Sequence, residues 1–349
     1  MSGGAAISYF IDYELDFAFA PCDRPGLYNA FSNCPVACRV RAERVIAPAA
    51  FGIFNGEGAK MAIFYGTSGN DIFDYYGDNS AGVTSDPPGL ISLTDGGDLI
   101  YGFGGNDRID STGKGNNTIF GGDGDDGVAV SSGFGTVYGE AGKDIIQLGV
   151  LGGFADGGGG QDVIYGGNLS NTLRGGSGDD EVSGGISDDL MVGGAGADFL
   201  FGDEGADLIR GGAGDDTLVG DYYGSQKDTL IGGTGNDTFM FSGPDDSTPP
   251  AFDLIRGESG PGGAPAFEGA GVAGGDVIDM SQIDANPATG GRDAFVFGGH
   301  GLGQLWLTEN GTRTVVLANT DGDGAAEFKL VIADGDVRAS DYTADDFIL

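Results

Sequence analysis

The chain has 349 residues, 72 of them glycine, and a formal charge of −37 from 16 basic and 53 acidic residues. That length accommodates two domains or one long solenoid with caps, and glycine at about three times ordinary usage suits turns rather than helices. So acidic a chain has no basic stripe to meet nucleic acid, and no stretch reaches the ~18 consecutive apolar residues of a membrane span.

The first residues, MSGGAAISYFIDYELDFAFAP, lack a basic n-region, and Asp12, Glu14 and Asp16 interrupt any apolar run, which argues against a cleaved leader. From Ile11 to Phe19 apolar residues alternate with polar or small ones, predicting a half-buried strand that either caps the open end of a solenoid or stands as an isolated edge. Cys22, Cys34 and Cys38 are an odd set with no histidine nearby, too few ligands for a zinc site, and are read as incidental to function. No role is assigned to residues 1–64.

At Tyr65 a nine-residue pattern begins faintly as YGTSGNDIF. After an interruption it resumes with Asp98, Asp107, Asn117 and Asp126, each followed two residues later by Ile100, Ile109, Ile119 and Val128. Asp144 keeps the phase, while Gly135 with Val137 and Gly153 with Ala155 mark units that have lost their acid. From Gly157 the pattern is continuous: GGGGQDVIY, GGNLSNTLR, GGSGDDEVS, GGISDDLMV, GGAGADFLF, GDEGADLIR, GGAGDDTLV, an expanded unit from Gly220 to Ile231, and GGTGNDTFM. Glycine heads every unit, Asp or Asn stands at position six, and position eight is apolar throughout: Ile164, Leu173, Val182, Met191, Leu200, Ile209, Leu218, Leu230 and Phe239. A flexible linker would not hold an apolar residue in register.

The spacing has a chemical meaning. Glycines at positions one, two and four are expected to let the chain turn through positive φ and to bare their carbonyls. An aspartate at position six adds a hard oxygen. Calcium takes six to eight oxygens, so one turn offers half a site and a neighbouring turn the rest. Residues seven to nine form a short strand whose middle side chain points inward. The candidate metal ligands are therefore Asp107, Asp126, Asp144, Asp162, Asp180, Asp189, Asp198, Asp207, Asp216, Asp228 and Asp237, with Gly160, Gly178, Gly196, Gly214 and Gly235 at position four.

The repeat resembles the calcium-binding nonapeptide GGxGxDxUx of the RTX family. That resemblance implies an all-β, parallel β-roll in which two nonapeptides make one coil. Alternate units then fall on opposite sides. One side collects Asp126, Asp144, Asp162, Asp180, Asp198, Asp216 and Asp237; the other collects Gly135, Gly153, Asn171, Asp189, Asp207 and Asp228. On the second side Leu169 and Ser187 replace the position-four glycine, which is expected to strain a positive-φ turn by ~1 kcal/mol or more. Calcium is expected as a near-continuous row on the first side and sparsely on the second.

Past Met240 the period breaks, and residues 242–349 read as a β-rich domain after a roll spanning 65–241. Phe252–Arg256, Asp276–Ser281, Ile283–Asn286, Ala294–Phe297, Gly303–Leu305 and Asp321–Phe328 are similar, in order, to the serralysin carboxy-terminal domain. The closing Asp345-Asp346-Phe347-Ile348-Leu349 resembles that family's uncleaved type I secretion signal, and is read as an address rather than core. Asn319, Asp321, Asp323 and Gly324 fit the start of a DxDxDG calcium loop whose twelfth position holds Leu330 instead of Glu; an Asp-Gly turn explains them equally.

Serralysins are zinc proteases, but the HExxH motif needs histidines and the chain has one, His300, in a GGHG turn. No GxSxG elbow occurs either. The sequence reading is a secreted, non-catalytic calcium-binding protein, exported by a type I apparatus and acting as an extracellular structural, adhesive or carrier module, with calcium, that apparatus and a cell-surface polysaccharide or protein as candidate partners. The alternative is the tail or remnant of a serralysin-like protease or another RTX hydrolase.

Overall fold

The computed structural model describes residues 51–53, 61–66, 68–70, 72–74, 90–92, 97–111, 115–221, 226–257, 265–271, 275–335 and 337–349. The strand expected at Ile11–Phe19, the three cysteines and Asp71 lie outside the described residues.

Each nonapeptide contributes one strand, and successive strands alternate between two sheets. Thr172–Ser177, Leu190–Ala195 and Leu208–Ala213 lie in a 15-stranded sheet, and Glu181–Ile186 and Phe199–Glu204 in a 12-stranded one. Neighbours within a sheet are parallel and one coil apart, pairing Leu173 with Met191 and Val182 with Leu200. The reason is local. Glycine-rich turns reverse the chain twice per coil, so every second strand runs the same way beside its predecessor.

Strand alternation sends the position-eight side chain inward and its two flanks outward. Ile100, Ile119, Val137, Ala155, Leu173, Met191, Ile209 and Leu230 form one column in the 15-stranded sheet, each 0 % exposed. Ile146, Ile164, Val182, Leu200, Leu218 and Phe239 form the other, also 0 % exposed. The β-roll expected from the repeat is thus the fold. Units that had lost their acid keep their place in it: Gly135 pairs with Gly153, and Val137 with Ala155.

Both sheets run on past residue 241. Asp253–Arg256 pairs Ile255 with Leu230, and Val277–Asp279 pairs Ile278 with Phe239. Phe328–Ala333 then adds in parallel and leads an antiparallel meander with Thr314–Asn319 and Gln304–Glu309. Large aromatics fill this end: Phe241 meets Phe328 edge-on at 5.2 Å, and Phe267 lies beside Phe239. At the opposite edge of the 15-stranded sheet, Phe51–Ile53 pairs antiparallel with Met61–Tyr65.

The chain's last residues also belong to this framework. Phe347–Ile348 pairs with Val277–Asp279, and Phe347 packs against Phe297 at 5.3 Å while only 6 % exposed. The expectation that they lie outside the core is corrected: the edge of the 12-stranded sheet has an apolar side chain to bury, and Phe347 does so.

A core one residue deep per strand cannot close over a deletion. Leu200→Ala should lower the stability of the calcium-loaded protein by about 2–5 kcal/mol, whereas Ile145→Ala, at a side chain 56 % exposed, should change it by less than about 0.5 kcal/mol. Denaturant unfolding in calcium checks the contrast; equal effects would place the core elsewhere.

Candidate metal centres

The position-six aspartates form two ladders, one at each side of the roll. In the first, each backbone N–H donates to the carboxylate Oδ1 of the aspartate one coil ahead, from Asp107 through Asp126, Asp144, Asp162, Asp180, Asp198, Asp216 and Asp237 to Asp276, at 2.7–3.0 Å. The second runs Asn171, Asp189, Asp207, Asp228, Asp253 at 2.6–2.9 Å. The sequence-derived assignment of units to opposite sides matches this division. Every candidate aspartate is buried, the most exposed being Asp189 at 4 %.

The other carboxylate oxygen is left over. Oδ2 of Asp126, Asp144, Asp162, Asp180, Asp198, Asp216 and Asp237 on the first ladder has no hydrogen-bond partner, nor has Oδ2 of Asp189, Asp207 and Asp228 on the second. Each sits against the position-one glycine of its own unit. A Cβ on Gly175 would overlap Asp180 Oδ2 and stand 2.7 Å from the Gly193 carbonyl oxygen of the next coil; one on Gly193 would overlap Asp198 Oδ2 and stand 2.7 Å from the Gly211 oxygen. The second ladder repeats this at Gly184, with Asp189 Oδ2 and the Gly202 oxygen each at 2.6 Å. Position one is therefore glycine for close approach. The expectation that it turns through positive φ is corrected.

Positive φ belongs to positions two and four: Gly176 at 122° and Gly178 at 124°, Gly194 at 128° and Gly196 at 134°. The position-four glycines Gly160, Gly178, Gly196, Gly214 and Gly235 also stack coil on coil, each with the carbonyl oxygen of the preceding one where a Cβ would be. Position two tolerates side chains at a cost, since Phe103, Glu140 and Asp203 adopt φ of 77°, 78° and 73° there. Leu169 and Ser187 do not take positive φ. The strain expected of them is absent because the turn adopts another path, with Ser187 Oγ donating to the Asn168 carbonyl at 2.9 Å.

Carboxylate oxygens buried beside backbone carbonyls, with no donor to satisfy them, are suited to a hard divalent cation. Calcium, when bound, supplies the positive charge these oxygens lack. Burial, reinforced by neighbouring carboxylates, raises Asp144, Asp180, Asp207 and Asp216 to about 7 and Asp228 to about 8, and the ladder N–H groups only partly oppose it. Asn171 shows the contrary case. Its Nδ2 donates to the Gly184 carbonyl at 3.1 Å and to Asp189 Oδ1 at 3.0 Å, so an amide fills with protons the place a cation would take.

Sequence reasoning did not place Asp253 and Asp276 on the ladders. Both keep the Asp-x-apolar triplet of positions six to eight, as Asp253-Leu254-Ile255 and Asp276-Val277-Ile278, and that was the available signal. It also missed Glu327, which joins Asp321 and Asp323 with carboxylate oxygens within 4.8 Å of one another. Asp321 and Asp323 are exposed, and each accepts a backbone N–H two residues on, from Asp323 at 2.9 Å and Ala325 at 2.7 Å, as Asx turns do. His300 is exposed and stacked on Trp306 at 4.6 Å.

Residues 90–113, 111–137, 154–169, 165–200, 192–221 and 222–240 match the family model described as RTX calcium-binding nonapeptide repeat. The chain thus carries calcium-binding RTX repeats folded as a β-roll. No curated protein matches it. Among solved structures it is similar to the solution structure of the AlgE6R3 subunit from the Azotobacter vinelandii mannuronan C5-epimerase, 26% identical over 49% of this chain and 78% of that one, with a TM-score of 0.20. At that superposition the likeness carries no argument.

The buried carboxylates fix the sign of the pH response. Their folded values lie above the ordinary 3.8, so the cation-free fold binds more protons than the unfolded chain and loses stability as pH rises from about 4 to about 7. In chelator, acidification from about pH 8 to about pH 5 should strengthen the far-ultraviolet β signal. With calcium the response should reverse, because protons compete for the ligands. Loss of structure on acidification in both conditions would contradict this account.

Proposed function

We propose that this is a secreted, non-catalytic protein that folds on binding calcium and then serves outside the cell as a structural, adhesive or carrier module. The observation that carries the reading is the pair of carboxylate ladders. Asp107, Asp126, Asp144, Asp162, Asp180, Asp198, Asp216 and Asp237 on one side, and Asp189, Asp207 and Asp228 on the other, are the metal ligands in this reading, with carbonyls of the adjacent coils completing each site. Among the described residues no basic side chain forms an ion pair with Asp126, Asp144, Asp162, Asp180, Asp198, Asp216, Asp237, Asp189, Asp207 or Asp228.

Each site spans two coils, so the unfolded chain contains no preformed site and binding energy becomes folding energy. Intracellular calcium is too dilute to fill sites of the affinity typical of extracellular modules, while external calcium is not. Such a chain stays an acidic thread inside the cell and folds outside, which suits export through a type I channel. The carboxy-terminal resemblance to serralysins supports the same route, with Asp345–Leu349 as the address. No helix among the described residues is long and apolar enough to cross a membrane. A single histidine, stacked on tryptophan, supports a role without catalysis.

In chelator at neutral pH the protein should give a disordered far-ultraviolet spectrum, and calcium should restore a β spectrum cooperatively. Asp180→Ala or Asp198→Ala should reduce both calcium stoichiometry and stability more than Asn171→Ala does. A native spectrum without calcium would defeat the coupled-folding reading, and robust turnover in casein zymography or a hydrolase screen would defeat the non-catalytic one.

A further inference from the structure

One outward row of the 15-stranded sheet has a composition unlike the rest of this acidic chain. Position nine sets Arg174, Val192 and Arg210 side by side on successive strands. Ile231 follows beside Arg210, and the pairing of Leu230 with Ile255 brings Arg256 beside Ile231. Arg256 then pairs with Ala333, and Arg313, one residue before the Thr314 that pairs with Ile332, stands next in line. Arginine thus occupies every second strand from Thr172–Ser177 to the edge of Thr314–Asn319. The chain neighbours Leu173, Ile209, Ile255 and Thr314 are 0 % exposed on the inner face, which turns the arginines outward. Arg174, Arg210 and Arg313 are exposed and Arg256 is half-buried.

These are four of the chain's 16 basic residues, within a formal charge of −37. The strands along the row contain one acidic residue, Asp253, which is 0 % exposed. The matching strands of the 12-stranded sheet, from Val163–Tyr165 to Val277–Asp279, contain no basic residue and hold Glu181, Asp203, Glu204 and Asp279. Among the described residues Arg174, Arg210 and Arg313 form no ion pair. Asp156, beside Arg174 on the preceding strand, ends the stretch on that side. At the other end Arg313 lines a cleft together with Arg338 and Glu309.

The spacing points to a class of ligand. Every second strand is about 9.6 Å from the last, so the row runs about 29 Å. An extended acidic peptide shows carboxylates on one side about every 6.7 Å, and duplex nucleic acid carries a charge per about 1.7 Å of its axis. Both are denser than the row. With single bonds of about 1.5 Å, a pyranose ring and its linking oxygen advance a chain by about 5 Å. In a β-1,4-linked ribbon successive rings face opposite ways, so a hexuronate polymer turns one carboxylate per two rings to each side. That interval matches the arginines.

We infer that this row binds a β-1,4-linked hexuronate polysaccharide, its ribbon laid along the sheet with alternate carboxylates held by Arg174, Arg210, Arg256 and Arg313. Planar guanidiniums take carboxylates through paired hydrogen bonds, and the apolar spacers Val192, Ile231 and Ala333 face the C–H surfaces between. The inference rests on the reading of the protein as an extracellular adhesive or carrier module and gives that module a ligand; it uses none of the calcium ligands.

Calorimetric titration of the calcium-loaded full chain with short β-1,4-linked glucuronate oligomers tests it. Cello-oligosaccharides, the same ribbon without carboxylates, and poly-glutamate serve as comparisons. Wild type should bind the glucuronate oligomers and neither comparison. Arg174→Gln/Arg210→Gln should weaken that binding at least ten-fold, while Arg292→Gln, whose guanidinium bonds to Gln282 outside the row, should leave it unchanged. Equal binding by the double variant overturns the inference, as does poly-glutamate bound equally well. Circular dichroism of the same samples separates the two readings. A calcium-induced β spectrum without oligomer binding overturns the polysaccharide alone, and no calcium-induced fold overturns both. Should the double variant not fold in calcium, Arg174→Gln and Arg210→Gln are compared singly, each expected to weaken binding at least three-fold; single variants that bind as wild type overturn the inference.

Discussion

The two oxygens of each position-six aspartate have opposite needs, and the roll depends on meeting both. Oδ1 accepts the N–H of the coil behind, fixing the coil spacing. Oδ2, turned into a glycine-lined recess, is buried with no donor, and an unpaired buried carboxylate is among the least tolerable groups a fold can contain. A column of them repels itself as well. The geometry that aligns the strands is the same geometry that demands a cation. Neither could be relieved alone, because rotating the carboxylate outward to reach water would release the Oδ1 bond.

The glycines follow from that demand. At position one a methyl group would fill the recess, since Asp180 Oδ2 already occupies the space over Gly175 and Asp198 Oδ2 that over Gly193. At position four the constraint is between coils, where each glycine lies against the carbonyl of its predecessor. Position two meets that constraint together with positive φ, since Gly176 lies against the Gly158 carbonyl and Gly194 against the Gly176 carbonyl, and there Phe103, Glu140 and Asp203 accept a left-handed φ rather than change the turn. Position one is thus held by close approach to a carboxylate, and positions two and four by positive φ together with close approach between coils.

The phase of the repeat made the core columns and both ladders legible in the sequence, because an eighteen-residue coil converts position in the chain directly into side and depth. What phase could not convey was anything lying beyond a change of period. Asp253 and Asp276 continue the ladders after long loops, so counting in nines loses them although their triplets persist. Sequence could not separate close approach from positive φ as the reason for a glycine, and it treated Leu169 and Ser187 as strained residues when the turn had simply taken another path. The last residues looked like an appendage because an edge strand of two residues has no periodic signature.

Where the second side lacks carboxylates, the sheet finds another longitudinal support. Asn117, Gly135 and Gly153 stand at position six in half-coils leading into the 15-stranded sheet, and none can bring a carboxylate to a cation. On the outer face of that sheet Tyr101 stacks on Phe120 and Phe120 on Tyr138, each at 5.0 Å and 7° between planes; Asp156 follows in that row, and Phe154 of the row beside it, paired with Thr136, lies tilted at 50° and 5.4 Å from Tyr138. The Arg174 guanidinium lies 5.6 Å over the Phe154 ring. In-register parallel strands set identical positions one strand apart, close enough for rings to overlap, and each such pair adds about 0.5–1.5 kcal/mol. Further along, where Asp189, Asp207 and Asp228 return, the same outer row holds Val192, Arg210 and Ile231 and the aromatic stack ends. A stack of rings attracts without an ion, whereas a stack of carboxylates needs one. The part of the roll that has given up ligands on one side has therefore replaced an interaction that requires calcium with one that does not.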